Sequence, residues 1–196
     1  MIIRNLNKYR IILASHSPRR QQLLRELGIR FDVVLKDYPE TYPKNLKGKE
    51  IALYLARGKA KLFKKEISDN EIVITADTIV WCNNKVLGKP SDNRDARRMI
   101  MEISGNTHEV ITGVCIYSTL RNKTFAVSTK VTFETLSDDE ITFYIDKYKP
   151  FDKAGAYGIQ EWIGIAACSH IEGSYFNVVG LPVQRLYKEL QRFIAD

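Results

Sequence analysis

The stretch EIVITADTIVWC, residues 71–82, constrains the fold more than any other part of the chain. It is a strongly apolar run suited to a buried strand, and it is far shorter than the ~20 apolar residues needed to span a membrane. Around it, short apolar runs alternate with helical stretches. RIILAS (10–15) reads as a buried strand, followed by a helix from Pro18 to Leu27 that Gly28 ends. IRFDVVL (29–35) reads as a second strand, and the polar loop KDYPETYPKNLKG leads to a helix over about 49–66. CNNKVLGKP turns away from the long strand, and Ser91 or Asp92 caps a helix running to about Ser104, with Gly105 at its end.

The second half continues the alternation. HEVITGVCIYST (108–119) and TFAVSTKVTFETL (124–136) are β-rich, and LRNK between them fits an antiparallel hairpin turn. SDDE at 137–140 has the spacing of a capping box and opens a helix that stops before Pro150. After the glycine-rich loop FDKAGAYGIQ, WIGIAACSHIEG is expected to return as strand, and Pro182 to start the last helix. The expectation is an α/β protein with a mixed, twisted central sheet flanked by helices.

Composition adds limits to this picture. The chain has 196 residues, enough for one domain or two small lobes with a cleft between them. The opening MIIRNLNKYRIILAS lacks a signal-peptide core or cleavage pattern, so the cytoplasm is the expected location. Cys82, Cys115 and Cys168 are scattered, without a CxxC, and read as reduced core thiols. The formal charge of +7 suggests an anionic partner without naming it. The densest basic run, ARGKAKLFKK (56–65), reads as a solvated helix face, because no aromatics interleave its charges as a single-strand groove requires. No membrane partner and no nucleic acid is expected.

Four places break local rules. In ASHSPRRQQLL, Ser17 is a good N-cap and Pro18 a good first helical residue. That sets Arg19 and Arg20 at the positive end of the helix dipole, which disfavours cations. Free N–H groups and two guanidiniums make an anion site suited to phosphate; pairing with surface carboxylates is the competing reading. Asp77 is the sole charged side chain between Ile72 and Trp81. A buried carboxylate needs a metal, a cation or a shifted pKa, so it reads as a catalytic base or metal ligand at a strand's end, or else as a turn cap. Lys59 falls on the apolar stripe Ala52, Leu55, Ala56, Leu62, Phe63, either reaching into a polar cleft or snorkelling. The loops GKP (88–90) and DKAGAYGIQ (152–160) carry Lys89 and Lys153, which neutralise phosphates or are simply solvated. His16, His108 and His170 lack zinc spacing and read as structural or solvated. Phosphate-binding cations, isolated acids and no nucleophile constellation favour metal-assisted attack of water on a phosphoanhydride.

Seven motifs then fall in order: SxSPRR (15–20), LARGKA (55–60), ADTIV (76–80), GKP (88–90), SGNTHEVITGV (104–114), DKAGAYGIQ (152–160) and GSYFNVVGLP (173–182). Together they cover nearly the whole chain, and the sequence resembles the Maf family. The resemblance implies a two-lobed α/β fold similar to inosine triphosphate pyrophosphatases. It also implies an enzyme that cuts between the α- and β-phosphates of a nucleoside triphosphate, uses a divalent metal (magnesium, manganese or cobalt) and forms a homodimer. Asp77 matches the family's proton-accepting aspartate. Ser15, Arg20, Lys59, Lys89 and Lys153 match its phosphate-facing residues, and Glu40 with Asp77 its metal carboxylates. Arg19, Thr78 and Gln160 match the selectivity residues of the branch that hydrolyses dTTP and UTP, and Gln160 offers a donor and an acceptor to the O4/N3–H edge of a pyrimidine. KYKP at 147–150 departs from the S-G-E that many members carry there, which leaves the ligand set to Asp152, Glu40 or water. A 7-methyl-GTP pyrophosphatase and a nucleotide-binding cell-division regulator without turnover are the alternatives.

Overall fold

The computed structural model describes residues 6–195, and the apolar run around Asp77 lies in it as one uninterrupted strand. In chain order the elements are β1 (Arg10–Ala14), α1 (Pro18–Glu26), β2 (Asp32–Val33), α2 (Lys49–Lys61), β3 (Glu71–Cys82), β4 (Lys85–Leu87), α3 (Asn93–Ile103), β5 (Thr107–Tyr117) and β6 (Asn122–Phe133). There follow α4 (Asp138–Tyr148), a single 3-10 turn at Ala154–Ala156, α5 (Trp162–Ala167), β7 (Cys168–Glu172), α6 (Tyr175–Val179) and α7 (Val183–Ala195). The strands form one seven-stranded sheet in the order β2-β1-β3-β5-β6-β7, with β4 also on β3. β1 runs parallel to β2 and β3, whereas β4 on β3 and β7 on β6 are antiparallel, so the sheet is mixed. The expected α/β class with a central mixed sheet is what the chain adopts. Among the described residues no helix is long and apolar enough to cross a membrane.

The chain divides into two compact units. The first holds the residues up to Asp77, Thr112–Val127 and the stretch from Gly180 onward; the second holds Thr78–Ile111 and Ser128–Val179. Strands β3, β5 and β6 each give residues to both.

In the first unit, α2 turns Ile51, Ala52, Leu55, Ala56 and Ala60 inward. The helix can lie close to the sheet because β5 carries Gly113, where a Cβ would come within 2.2 Å of the Ala52 carbonyl oxygen. α1 begins as its sequence requires: the Ser17 hydroxyl accepts from the Arg20 N–H, and Pro18 occupies the first turn.

In the second unit, α3 and α4 supply Met99, Ile100, Ile103, Ile141, Tyr144 and Ile145 to one core that also takes Val110 and Phe133. Ser137 and Glu140 close the capping box of α4 in both directions. The turn joining β3 and β4 places Asn83 and Asn84 at φ 49 and 59, conformations that asparagine tolerates better than most residues.

Several expectations change. WIGIAACSHIEG is not a strand throughout: Trp162–Ala167 forms α5 and only Cys168–Glu172 pairs with β6. There Ile163 and Ala167 are buried at a helical spacing of four. IRFDVVL keeps two residues of strand, both exposed, because they pair along the edge of β1 alone. α2 stops at Lys61 and continues as hydrogen-bonded turns to Glu66, so Leu62 falls off the inward stripe and Ala60 takes its place. Pro182 lies before α7, its carbonyl accepting from the Leu186 N–H. The basic run 56–65 is largely solvated, as expected, and Cys82 and Cys115 are buried thiols, whereas Cys168 on the edge strand is half-buried.

Candidate active site

The alternation of a strand fixes what Asp77 can meet. Residues two apart on β3 share a face, so Thr75 and Asp77 point the same way. Thr75 donates to the Ala56 carbonyl of α2 at 2.7 Å. One helical turn on, Lys59 stands where Asp77 can reach it, and the Lys59 ammonium donates to the Asp77 carboxylate. Helix and strand are thereby registered by two successive contacts. Asp77 is 6% exposed and lies in the middle of β3, not at a strand's end. The cation that a buried carboxylate requires is therefore Lys59.

A second acid shares this lysine. Glu40 Oε1 lies 3.6 Å from the Lys59 nitrogen, and its side chain is half exposed. The loop that carries Glu40 rests on α2 through Tyr38, whose hydroxyl sits where a side chain on Gly58 would be, 2.0 Å from the position of a Cβ. Gly58 thus admits the loop beside Lys59. Burial and the neighbouring Tyr54 raise the Tyr38 phenol above its ordinary value.

Arg20 belongs to the same set. Its guanidinium donates to the Gly180 carbonyl at 2.8 Å and to the Ala76 carbonyl, also at 2.8 Å, with the Ser15 hydroxyl at 3.5 Å. Ser15 is buried and its hydroxyl also accepts from the Ser17 N–H at 3.2 Å. Burial pulls the guanidinium below its ordinary value; the Asp77 and Glu40 carboxylates work against that shift and Arg19 adds to it. The arginine that a helix amino end disfavours is held there by carbonyl groups of other elements. Ser15, Arg20, Lys59, Asp77 and Glu40 are brought together in the first unit, with Arg19 half-buried on the first turn of α1.

The second unit holds the other expected residues, of which Lys153 and Gln160 lie on the segment 153–161. Lys153 is 8% exposed, which excludes a solvated loop lysine. Its ammonium pairs with Asp152 at 2.8 Å and Glu161 at 3.0 Å. The Gly155 N–H donates to the Gly88 carbonyl at 2.9 Å, tying this segment to the GKP loop. Gly155 is required there: φ is +71, and a Cβ would meet Val80 at 2.9 Å. Lys89 and Gln160 are exposed, and Thr78 is half-buried on the β3 face opposite Asp77.

Sequence reasoning missed Glu161 and Tyr144. The Tyr144 hydroxyl donates to Glu161 and accepts from the Gly158 N–H at 3.0 Å. The available signal was Tyr144 on the inward stripe of α4 with Ile141 and Ile145, since a buried phenol needs a partner. Of the histidines, His16 and His170 are exposed, whereas His108 is buried, bonded at 2.7 Å to the Tyr157 hydroxyl and edge-on to Phe133.

A family model described as Maf-like protein matches residues 10–193. A relative from Phocaeicola vulgatus named dTTP/UTP pyrophosphatase is 54% identical over 97% of this chain and 100% of its own length. One of the same name from Parabacteroides distasonis is 51% identical over 98% of this chain and 100% of its own length. Among solved structures, a nucleoside-triphosphatase / dITP/XTP pyrophosphatase from Mycobacterium abscessus aligns over 95% of this chain and 96% of that one, at 10% identity and a TM-score of 0.45.

Proposed function

The chain belongs to the Maf family, and on that premise we propose that it is a nucleoside triphosphate pyrophosphatase acting on dTTP and UTP. Full-length relatives at about half identity carry that name. The observation in the structure that supports it most is the buried Asp77, paired with Lys59 and flanked by Arg20. One carboxylate among fixed cations suits water attack on a polyanion.

In the reaction, water attacks the α-phosphorus and the bond from that phosphorus to the bridging oxygen breaks. A nucleoside monophosphate and pyrophosphate leave, and Asp77 accepts the proton of the attacking water. Arg20 and Lys59 offset the phosphate charge, with the Ser15 hydroxyl a further phosphate partner. Lys89 and Lys153 are assigned the same role. Arg19, Thr78 and Gln160 select the base.

A divalent cation is the expected cofactor. Among the described residues no group of three or more His, Cys, Asp or Glu forms a cluster for an ion, and the two carboxylates at hand, Asp77 and Glu40, both face Lys59. Magnesium is commonly held by one or two carboxylates, with waters and phosphate oxygens completing the shell. Asp77 and Glu40 would hold the ion, and its chemistry would be to polarise a phosphoryl oxygen.

The test is pyrophosphate release across dTTP, UTP, the other canonical triphosphates and 7-methyl-GTP, each with magnesium, manganese and cobalt. Release from dTTP and UTP is expected. Turnover confined to 7-methyl-GTP would overturn the pyrimidine assignment, and tight nucleotide binding without pyrophosphate would overturn the enzyme.

A further inference from the structure

Tyr144 and Glu161 take no part in the chemistry above, yet they make a connected set of polar contacts in the second unit. Tyr144 is fully buried on α4. Its hydroxyl accepts from the Gly158 N–H at 3.0 Å and donates to Oε2 of Glu161. The other oxygen of that carboxylate, Oε1, lies 3.0 Å from the Lys153 ammonium. One carboxylate thus bridges a tyrosine rooted in the core and the lysine at the head of the segment 153–161.

The bridge admits little slack. The Glu161 carboxyl lies against the α-carbon of Gly158, where an added Cβ would come within 2.8 Å of its carbon. Burial and the adjoining carboxylate push the Tyr144 phenol above its ordinary value, so it remains a donor. Asp152 also pairs with Lys153, but its side chain is 60% exposed, and water screens an ion pair there. Glu161 is 19% exposed and is the partner that fixes where the ammonium stands. Gln160 sits between Glu161 and Ile159, whose side chain is buried. A residue anchored on both sides has its backbone set by those anchors.

We propose that Tyr144 and Glu161 are positioning residues that set Lys153 and Gln160 as one rigid piece, so that phosphate binding and base selection are coupled through a single carboxylate. The inference rests on the function proposed above, in which Lys153 meets phosphate and Gln160 meets the base. A glutamate that only stabilised the fold would alter melting without altering the ratio of substrates. A positioning glutamate alters both KM and that ratio.

The experiment measures kcat and KM for UTP and CTP in wild type, E161A, E161Q and Y144F, with thermal melting of each. E161A is expected to lose about 10–100-fold in kcat/KM for UTP, mostly through KM, because displacement of a charged group by about 1 Å costs on that scale. The UTP-to-CTP ratio is expected to fall by about threefold or more in the same variant. E161Q, which keeps an acceptor oxygen, should lie between wild type and E161A in both readouts, and Y144F should show both shifts at smaller size. E161Q and Y144F decide the matter if E161A does not fold. Wild-type KM and ratio in E161A would overturn the proposal. So would a raised KM with an unchanged ratio, which would make Glu161 a partner of Lys153 alone. An E161Q as defective as E161A also counts against it. Wild type that releases no pyrophosphate from UTP would sink the underlying function first, a distinct result.

Discussion

The two units solve one electrostatic problem in opposite ways. Each places a lysine between a more buried acid and a more exposed one: Lys59 between Asp77 and Glu40, Lys153 between Glu161 and Asp152. In the first unit Lys59 and the buried Asp77 stand on regular elements, and their meeting follows from the register of α2 on β3, with only Glu40 coming from a loop. In the second the partners stand on an irregular segment, which needs a tyrosine from α4 to hold its shape. Backbone ladders fix side chains on strand and helix without further help, while a loop must obtain the same precision from side-chain hydrogen bonds. The first arrangement suits proton transfer, which tolerates little displacement. The second suits selection of a substrate, where a segment can vary without disturbing the sheet.

The strongest way to break this comparison is Asp77→Asn. The pair with Lys59 loses its charge, but the shape and one acceptor oxygen stay. Pyrophosphate release is expected to fall by about 10²–10⁴-fold, the range for loss of a positioned general base. A purified, folded variant with near-normal turnover would move the chemistry out of the first unit.

The next effect tests the second unit through pH. Burial of His108 lowers its pKa from 6.5 to about 4. The folded state therefore favours the neutral ring, and the stability involved is complete above the ordinary histidine pKa. As pH falls from about 6.5 toward 4, the unfolded chain takes up a proton that the folded chain refuses. About 3 kcal/mol is lost over that window, and nothing more from this group below it. Urea unfolding at pH 7 and pH 5 should show roughly 2 kcal/mol of the difference in wild type and little of it in His108→Gln. Equal pH dependence in both proteins would remove His108 as the cause.

The smallest effect sharpens the claim about register. Thr75→Val keeps the shape of a side chain that bonds the Ala56 carbonyl and removes only the hydroxyl. A loss of about 1 kcal/mol in unfolding free energy is expected, with a kcat reduced only a few-fold, since Lys59 still meets Asp77. A collapse of activity as large as that of Asp77→Asn would show that the strand–helix register depends on this one bond.

Legibility in the sequence followed the regularity of the backbone. Asp77 stood out because an isolated charge in an apolar strand has no local partner. Ser17–Pro18 and the SDDE box marked helix starts because caps are local chemistry. WIGIAA misled because a short apolar run fits a buried strand and a buried helix alike, and the packing of Ile163 and Ala167 decided between them. Lys153 looked like any loop lysine until the fold placed Glu161 against it, eight residues on. Glu161 itself follows a motif without belonging to one, and Tyr144 is separated from it by 17 residues.

By itself the sequence determined the α/β alternation, the helix caps, the lone strand acid and the cations set against a helix dipole. These are consequences of interactions within a few residues, and such interactions are written in order along the chain. Only the tertiary structure decided which cation answers Asp77, where the Arg20 guanidinium is anchored and what holds Lys153. Those partners lie 18, 56 and 8 residues away, and the pairings exist because helix registers on strand and loop on core.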